Sequence, residues 1–176
     1  TATDSGGAST SQAFSVSVNN TNDAPTLAIA LSDQSVNEDA AFNFTVPSGS
    51  FFDVDAGDSL TYTATLSDGS ALPSWLSFNT ATQTFTGTPV NANVGVITVK
   101  VTASDGSASV SDSFTLTVAN TNDSPTLATA ISDQSVNEDA VFNFTVPSNT
   151  FDDDDTSDTL TYTATLSDGS ALPSWL

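Results

Sequence analysis

The sequence contains no cysteine, histidine or methionine, and its only basic residue is Lys100. The absence of cysteine and histidine excludes disulfide bonds, thiol chemistry, zinc sites and catalytic triads that need histidine. We expect no binding to nucleic acid and none to anionic membrane surfaces, because both require clustered lysine and arginine. No apolar run approaches the roughly 20 residues that span a bilayer, so we also expect no membrane insertion.

Acidic residues, in contrast, are abundant. The 176 residues include 21 aspartates and glutamates, which give a net charge of −20 at pH 7. Such an excess of one sign repels itself and opposes the compact state, so we expect a cationic partner. Oxygen is the only metal-ligand chemistry that these side chains offer, and carboxylate-rich oxygen sites suit hard cations such as Ca²⁺.

The chain contains an internal repeat of 100 residues. Residues 123–176 align with 23–76 without a gap and are identical at 43 of 54 positions. The start of the chain matches 102–123 once one extra loop residue is allowed. This periodicity predicts a window on a longer tandem array. We divide the chain into the C-terminal part of one module (1–22), a complete module (23–122) and the N-terminal part of the next (123–176).

Alternating apolar and polar residues predict β-strands throughout the repeat. In ITVKVTA (97–103) the apolar positions recur at every second residue, as they do in SFTLTV (113–118), FNFTV (42–46) and LTYTATL (60–66). Turn residues separate these runs, and no stretch combines helix caps with a 3.6-residue period. Roughly seven short strands in each repeat predict an all-β fold of tandem, antiparallel Greek-key β-sandwiches of immunoglobulin-like type.

Acidic loops are expected to meet at one end of each sandwich. DVDAGD (53–58), which recurs as DDDTSD (153–158), joins two predicted strands, and SDG (104–106) joins the last two. In an immunoglobulin-like sandwich these loops share the pole that the preceding linker reaches, while Glu38 lies near the opposite pole. Because Ca²⁺ takes roughly 6–8 oxygen ligands, this convergence predicts a cation site at the module junction. Its candidate ligands are Asn22, Asp23, Asp53, Asp55 and Asp105.

Four motifs, taken in this order and spacing, resemble calcium-binding sequences of cadherins. The linkers NTNDAPT (20–26) and NTNDSPT (120–126) resemble DxNDNxP, FFDVDAGDSLTYTATL resembles DxDxGxNxxxxY, VTASDG resembles AxDxG, and Glu38 takes the place of an early cadherin glutamate. LPSWLSFNTATQTFTGTP and GVITVKVTASDG resemble more closely the bacterial cadherin-like modules of dystroglycan type, also described as Ig domains, from very large surface proteins. The resemblance covers the whole chain and implies immunoglobulin/cadherin-like sandwiches.

The resemblance implies Ca²⁺ between successive modules. At the first junction the implied ligands are Asn22, Asp53, Asp55 and Asp105. At the second they are Glu38, Asn120, Asn122, Asp123, Asp153 and Asp155. Asp58 and Asp158 extend the acidic loops and offer further oxygens. Cadherins carry an Asp-Arg-Glu motif after the segment equivalent to TGTP, whereas this chain has VNANVGV, so we expect fewer ions, one or two, at each junction.

Other conspicuous residues have ordinary structural interpretations. Asp68 and Asp168, in SDGS, are predicted to form turns. Asp33 and Asp39, with their repeat equivalents Asp133 and Asp139, are expected to be solvated or to lie in turns. Trp75 is predicted to fill the core, and stacking on sugar rings is its alternative role.

These expectations together indicate a non-catalytic, Ca²⁺-stiffened extender of a large bacterial adhesin or extracellular filament at the cell surface. A calcium-dependent carbohydrate-binding module of a polysaccharide-degrading system is the alternative, and it would need a row of exposed aromatic residues. We expect no enzyme, because no base or pocket signal accompanies the carboxylates. The predicted partners are neighbouring modules of the same chain, with other copies of it and cell-surface or polysaccharide targets as further candidates.

Overall fold

The computed structural model describes residues 1–55, 57, 59–155 and 158–176. Within these ranges the regular structure is β apart from one 3₁₀ turn, η1 (Asn91–Asn93), and no helix has the length and apolar character needed to cross a bilayer. In chain order the strands are β1 (Ala2–Thr3), β2 (Ser9–Thr10), β3 (Thr26–Leu27), β4 (Gln34–Asn37), β5 (Phe42–Thr45), β6 (Phe51–Phe52), β7 (Thr61–Leu66), β8 (Leu76–Asn79), β9 (Thr84–Gly87), β10 (Gly95–Ser104), β11 (Ser109–Ala119), β12 (Thr126–Leu127) and β13 (Phe151–Asp152).

The complete module is a sandwich of two sheets. One sheet has the strand order β4-β11-β10-β7 and the other has the order β5-β9-β8, while β3 pairs with β6. All of these pairs are antiparallel except β4 with β11, which is parallel. The predicted all-β sandwich is therefore confirmed, and the parallel pair is a feature that the sequence did not predict.

The chain enters and leaves the complete module at opposite poles of the sandwich. In chain order β4 is the first strand of the four-stranded sheet and β11 is the last. Both strands run towards the same end of the sandwich, where Ala119 lies opposite Asn37. The entering linker contacts Asp105, in the loop before β11, whereas the chain leaves after Ala119, at the end of β11. The chain therefore enters near one pole and leaves at the other, which suits modules joined end to end. The same register brings Glu38, directly after β4, next to the linker that begins after β11.

Alternate residues of the long strands form the core. Val99, Val101 and Ala103 of β10 are fully buried, and Phe114, Leu116 and Val118 of β11 are at most 3% exposed. Phe85 and Phe114 meet edge to face with ring centroids 5.5 Å apart, an arrangement that aromatic pairs favour. The core therefore follows the period-2 pattern that the sequence shows.

Trp75 lies against this core, in agreement with its predicted packing role. Its side chain is partly buried and packs on the buried cluster. Gly87 of β9 lies directly beneath it, since a Cβ at that position would stand 2.1 Å from the Trp75 carbonyl oxygen. The tryptophan is thus held by the backbone of a neighbouring strand.

Asp33 is exposed, as expected of a solvated residue, and it also makes a long-range hydrogen bond that the sequence did not predict. Its Oδ1 accepts the backbone N–H of Thr115 in β11 at 2.7 Å, and Asp112 of the same strand accepts the N–H of Leu31 at 2.7 Å. These two bonds fasten the segment between β3 and β4 to the last strand. Since the partners lie more than 80 residues apart in sequence, only the folded arrangement reveals the role of Asp33.

The segments outside the complete module show how much the strands depend on their partners. Phe114 is 1% exposed, whereas Phe14, at the equivalent position of the first segment, is 85% exposed. Residues 113–118 belong to β11, but residues 13–18 form no strand in this described part of the chain. The same alternation therefore becomes a buried strand only where neighbouring strands cover it.

Candidate metal centre

Asp55 is the central carboxylate of the first junction, which we define as residues 20–23 together with the loops of the complete module that they touch. Its side chain is 7% exposed. Oδ1 accepts a hydrogen bond from the Asn20 amide at 2.8 Å, and Oδ2 accepts the backbone N–H of Asp23 at 2.6 Å. The Asp55 N–H donates to Asp53 Oδ1 at 2.9 Å. One carboxylate thus ties the linker to the acidic loop.

Asp105 brings the third chain segment to this junction. The Asn22 amide donates to Asp105 Oδ2 at 3.2 Å and to the Asp23 carbonyl oxygen at 2.9 Å. Asp105 Oδ1 accepts the N–H groups of Ala108 and Ser107, and these bonds hold the pKa of Asp105 below its usual value. The loop therefore keeps this carboxylate ionised and orients one of its oxygens towards the linker.

Asp155 repeats this arrangement at the second junction, which comprises residues 119–123 with the polar residues of the flanking modules around them. The side chain is 2% exposed. It accepts the Asn120 amide at 2.7 Å on Oδ1 and the Asp123 N–H at 2.6 Å on Oδ2, and its own N–H donates to Asp153 Oδ1 at 3.0 Å. The two junctions thus share one hydrogen-bonding scheme, as their sequences do.

Glu38 joins the second junction from the complete module. The carboxylate is 3% exposed, and its Oε1 accepts the Thr121 N–H at 2.9 Å. Its backbone N–H donates to the Ala119 carbonyl oxygen at 3.0 Å. Its second oxygen, Oε2, is buried and has no hydrogen-bond partner among the described residues. Leaving such a group without a partner costs about 1–3 kcal/mol or more, so this oxygen is suited to a ligand.

The acidic loop of the third segment brings three carboxylates together. Oxygens of Asp153, Asp155 and Asp158 lie within 4.8 Å of one another. Among the described residues, these three carboxylates form a cluster compact enough to bind one metal ion. The equivalent loop of the complete module has Asp53, whose buried Oδ2 finds no hydrogen-bond partner in the part of the chain that the structure describes. Asp58, the predicted partner of Asp53 and Asp55, lies outside the described residues.

Negative charge accumulates at the second junction. Burial raises the pKa of Asp123, and the nearby carboxylates of Asp155, Asp39, Glu38 and Asp154 raise it further, in that order. Ionised Asp123 is therefore disfavoured by its surroundings. A bound cation would reverse this balance, because it favours the charged form of each neighbouring carboxylate.

Most of the predicted ligands lie together at the two junctions, and each of them makes its own set of hydrogen bonds. At the second junction Asn122 donates to the Asp123 carbonyl oxygen at 2.7 Å. The sequence reasoning did not select Asn20, although its equivalence to Asn120 would have identified it. It also missed Asn91, whose side chain contacts the backbone of Asp154 in the next module. The segment VNANVGV gave no signal for this contact apart from its lack of carboxylates.

The donor set fits a hard cation. Oxygens bound to Ca²⁺ at roughly 2.4 Å lie no more than about 4.8 Å apart, and the Asp153, Asp155 and Asp158 cluster meets this limit. Asn20 and Asn120 now turn their NH₂ groups to carboxylates. Since the O and N atoms of an amide exchange places by a half-turn of the side chain, each can equally present an oxygen. Each junction adds one desolvated carboxylate oxygen, Asp53 Oδ2 at the first and Glu38 Oε2 at the second, and the candidate ligands include no histidine or cysteine.

Comparison with solved structures finds several partial likenesses. An endo-fucoidan hydrolase of glycoside hydrolase family 107 shares 26% identity with a TM-score of 0.47, over 59% of this chain and 15% of that protein. Titin domain M7 shares 18% identity with a TM-score of 0.40, over 57% of this chain and 98% of the domain. A SusE-like surface-located polysaccharide-binding protein of Bacteroides thetaiotaomicron shares 18% identity with a TM-score of 0.37, over 51% of this chain and 14% of that protein.

The first of these matched proteins is much longer than the chain, which spans only about 15% of its length. With TM-scores below 0.5, none of the three likenesses carries a functional argument. No curated protein matches the sequence. One protein family does match, and its description is "Putative Ig domain"; the match covers residues 24–119 and 124–176. Because these two stretches make up most of the sequence, the chain belongs to this family of Ig domains.

Proposed function

We propose that this chain is a structural segment of tandem cadherin-like modules of dystroglycan type whose junctions bind Ca²⁺. In this role the segment extends a large secreted or cell-surface protein, such as a bacterial adhesin or extracellular filament. The observation that carries the proposal is a pair of buried carboxylate oxygens, Glu38 Oε2 and Asp53 Oδ2, one at each junction, that have no hydrogen-bond partner among the described residues. A chain with one basic residue cannot neutralise 21 acidic ones by itself, so a cation from solution is the natural partner.

The proposed ligands come from three parts of each junction. At the second junction Glu38 belongs to the complete module, Asn120 and Asp123 belong to the linker, and Asp153 and Asp155 belong to the next module. A cation held by all three groups would remove the mutual repulsion of their carboxylates and fix the linker between the modules. At a concentration 100 times its dissociation constant, such an ion would stabilise the folded chain against unfolding by roughly 2.7 kcal/mol per site.

The topology supports an extending role. Because the entering linker contacts Asp105 before β11 and the chain leaves at the end of β11, the complete module receives the chain near one pole and releases it at the other. The sandwich therefore adds its full length to the distance between the parts that it connects. The proposed ligands lie in the linkers and in the loops at the poles, so cation binding would act on the joints between modules.

The alternative carbohydrate-binding role receives less support from the side chains. A sugar-binding face needs aromatic rings that stand free, and Trp75 packs against the core. Among the described residues of the complete module, one aromatic side chain stands exposed: Phe52, at 56%. One isolated ring does not make a platform for stacking.

Calorimetric titration and small-angle scattering with Ca²⁺ or chelator test the proposal. We expect the intact chain to bind Ca²⁺, with a narrower range of particle lengths in the bound form. Asp155→Asn retains the shape of this side chain but removes its charge, and it should abolish binding at the second junction. Asp133→Asn is the matched control, because Asp133 is an exposed aspartate away from the junction. Equal binding by the two variants, or no binding by the intact chain, contradicts the proposal.

A further inference from the structure

Asn91 makes a direct contact between modules that does not involve a cation. It lies in η1, between β9 and β10 of the complete module. Its side-chain amide donates to the backbone carbonyl oxygen of Asp154 in the next module, and its nitrogen lies 3.5 Å from Asp155 Oδ1. These are contacts over more than 60 residues of sequence, across the second junction.

The turn that carries Asn91 is held rigidly by its own residues. The Asn93 side chain accepts the N–H of Val90 at 3.0 Å, while the Asn93 N–H donates to the Val90 carbonyl oxygen at 2.7 Å. The Val94 N–H donates to the Asn91 carbonyl oxygen at 3.0 Å. These bonds close the turn within the module, while the Asn91 side-chain amide faces the next module.

Asn91 contacts a backbone carbonyl oxygen, so this contact does not depend on which side chain occupies position 154. The repeat equivalent of Asp154 is Val54, so this position changes from an apolar to an acidic residue between successive modules. Every residue offers a backbone carbonyl oxygen, and aspartate is present in both repeats at the neighbouring position, as Asp55 and Asp155. An amide that contacts the carbonyl can therefore dock on either repeat.

We propose that Asn91 is a docking residue that fixes the orientation of the following module by binding the backbone carbonyl at position 154. The contact needs no cation, so it favours the docked arrangement of the junction before any ion binds, and the proposed Ca²⁺ would narrow that arrangement further. The adjoining cleft, of about 400 Å³, is lined by Val90, Ala92 and three carboxylates, Asp39, Asp123 and Asp154. An uncharged amide donor is suited to this place, because a carboxylate there would add to the repulsion.

Distance measurements between two spin labels test this role in the intact chain. The sequence contains no cysteine, so labels can be attached at Ala81→Cys in the complete module and at Ser148→Cys in the next, both at exposed positions. We compare Asn91→Ala with Asp154→Val, which installs the residue of the other repeat, each in chelator and in Ca²⁺. Circular dichroism verifies that each variant retains its β structure.

In chelator we expect the docked distance to be populated in the unaltered chain and equally in Asp154→Val, with a broader spread than in Ca²⁺. Asn91→Ala should lower the ratio of docked to undocked molecules about fivefold in chelator, the factor given by one hydrogen bond of typical net strength. An unchanged distribution in Asn91→Ala, or equal spreading in Asp154→Val, overturns the inference. Spreading seen only in Ca²⁺ also overturns it, because the amide would then act through the ion. The chelator arms contain no free Ca²⁺, so their outcome is independent of the calcium proposal.

Discussion

Glu38→Gln separates the cost of a buried carboxylate from its value as a ligand. Glutamine retains the acceptor for the Thr121 N–H, which Glu38 Oε1 binds at 2.9 Å. It replaces Oε2, for which the described residues offer no hydrogen-bond partner, by an uncharged NH₂ group and so ends the repulsion between Glu38 and the nearby Asp123 carboxylate. Without a cation the substitution removes a buried negative charge from a crowded acidic junction. With Ca²⁺ it removes a ligand.

The two effects have opposite signs. In chelator we expect Glu38→Gln to raise the free energy of unfolding by about 1 kcal/mol, since it relieves an unsatisfied buried group. In Ca²⁺ at 100 times the dissociation constant, the unaltered chain should gain roughly 2.7 kcal/mol. If losing this ligand weakens binding about tenfold, the variant gains only about 1.4 kcal/mol at the same concentration. The increment due to Ca²⁺ is therefore roughly halved.

Urea denaturation in Ca²⁺ and in chelator, followed by tryptophan fluorescence, measures both quantities. Glu138→Gln is the matched control, because Glu138 is the repeat equivalent of Glu38 and is exposed. It changes the net charge equally, so it corrects for general effects of charge. Equal Ca²⁺ increments in Glu38→Gln and the unaltered chain would refute the reasoning. So would a loss of stability in chelator, because it would show that the buried carboxylate is already well satisfied.

Two further predictions concern the sandwich and its turns. Phe114→Ala should cost about 3–5 kcal/mol of unfolding free energy, while Phe14→Ala at the equivalent exposed position should leave it unchanged; similar losses in urea denaturation would contradict this. The pKa of Asp68 is lowered, first by the Ser70 hydroxyl and then by the Ser70 N–H. Its contribution to turn stability is therefore complete above the ordinary pKa and is lost as the pH falls through the lowered one. In an NMR titration Ser70→Ala should return the pKa of Asp68 towards its ordinary value and leave that of Asp168 lowered, whereas equal movement of both would argue against this cause.

Much of the fold was predictable because period-2 patterning is local information. The predicted strand at 97–103 appears as β10 (Gly95–Ser104), and that at 42–46 appears as β5 (Phe42–Thr45). The alternation also identified the buried faces. It gave no information about which strands pair, however, and so it missed the parallel contact of β4 with β11, which joins residues about 80 positions apart.

The candidate site was predictable where the repeat itself marks it. The NTND linkers and the acidic loops recur at the same interval, and the structure brings Asp55 to the first linker and Asp155 to the second. Whether these residues bind Ca²⁺ stays a prediction. The roles of Asn91 and Asp33 could not be read from the sequence, because each contacts a backbone group, and a backbone group leaves no signature in the residue at its position.

The sequence by itself determined the β class, the 100-residue repeat and the acidic, oxygen-only chemistry of the junctions, since composition and alternation are properties of single residues and near neighbours. Only the tertiary structure decided which carboxylate oxygens are buried without partners and which end of the sandwich each one reaches. Equivalent residues make this difference plain: Glu38 is buried at a junction and Glu138 is exposed. Their local sequences are the same, SVNEDA, so the difference comes from the strands and linker that cover one of them.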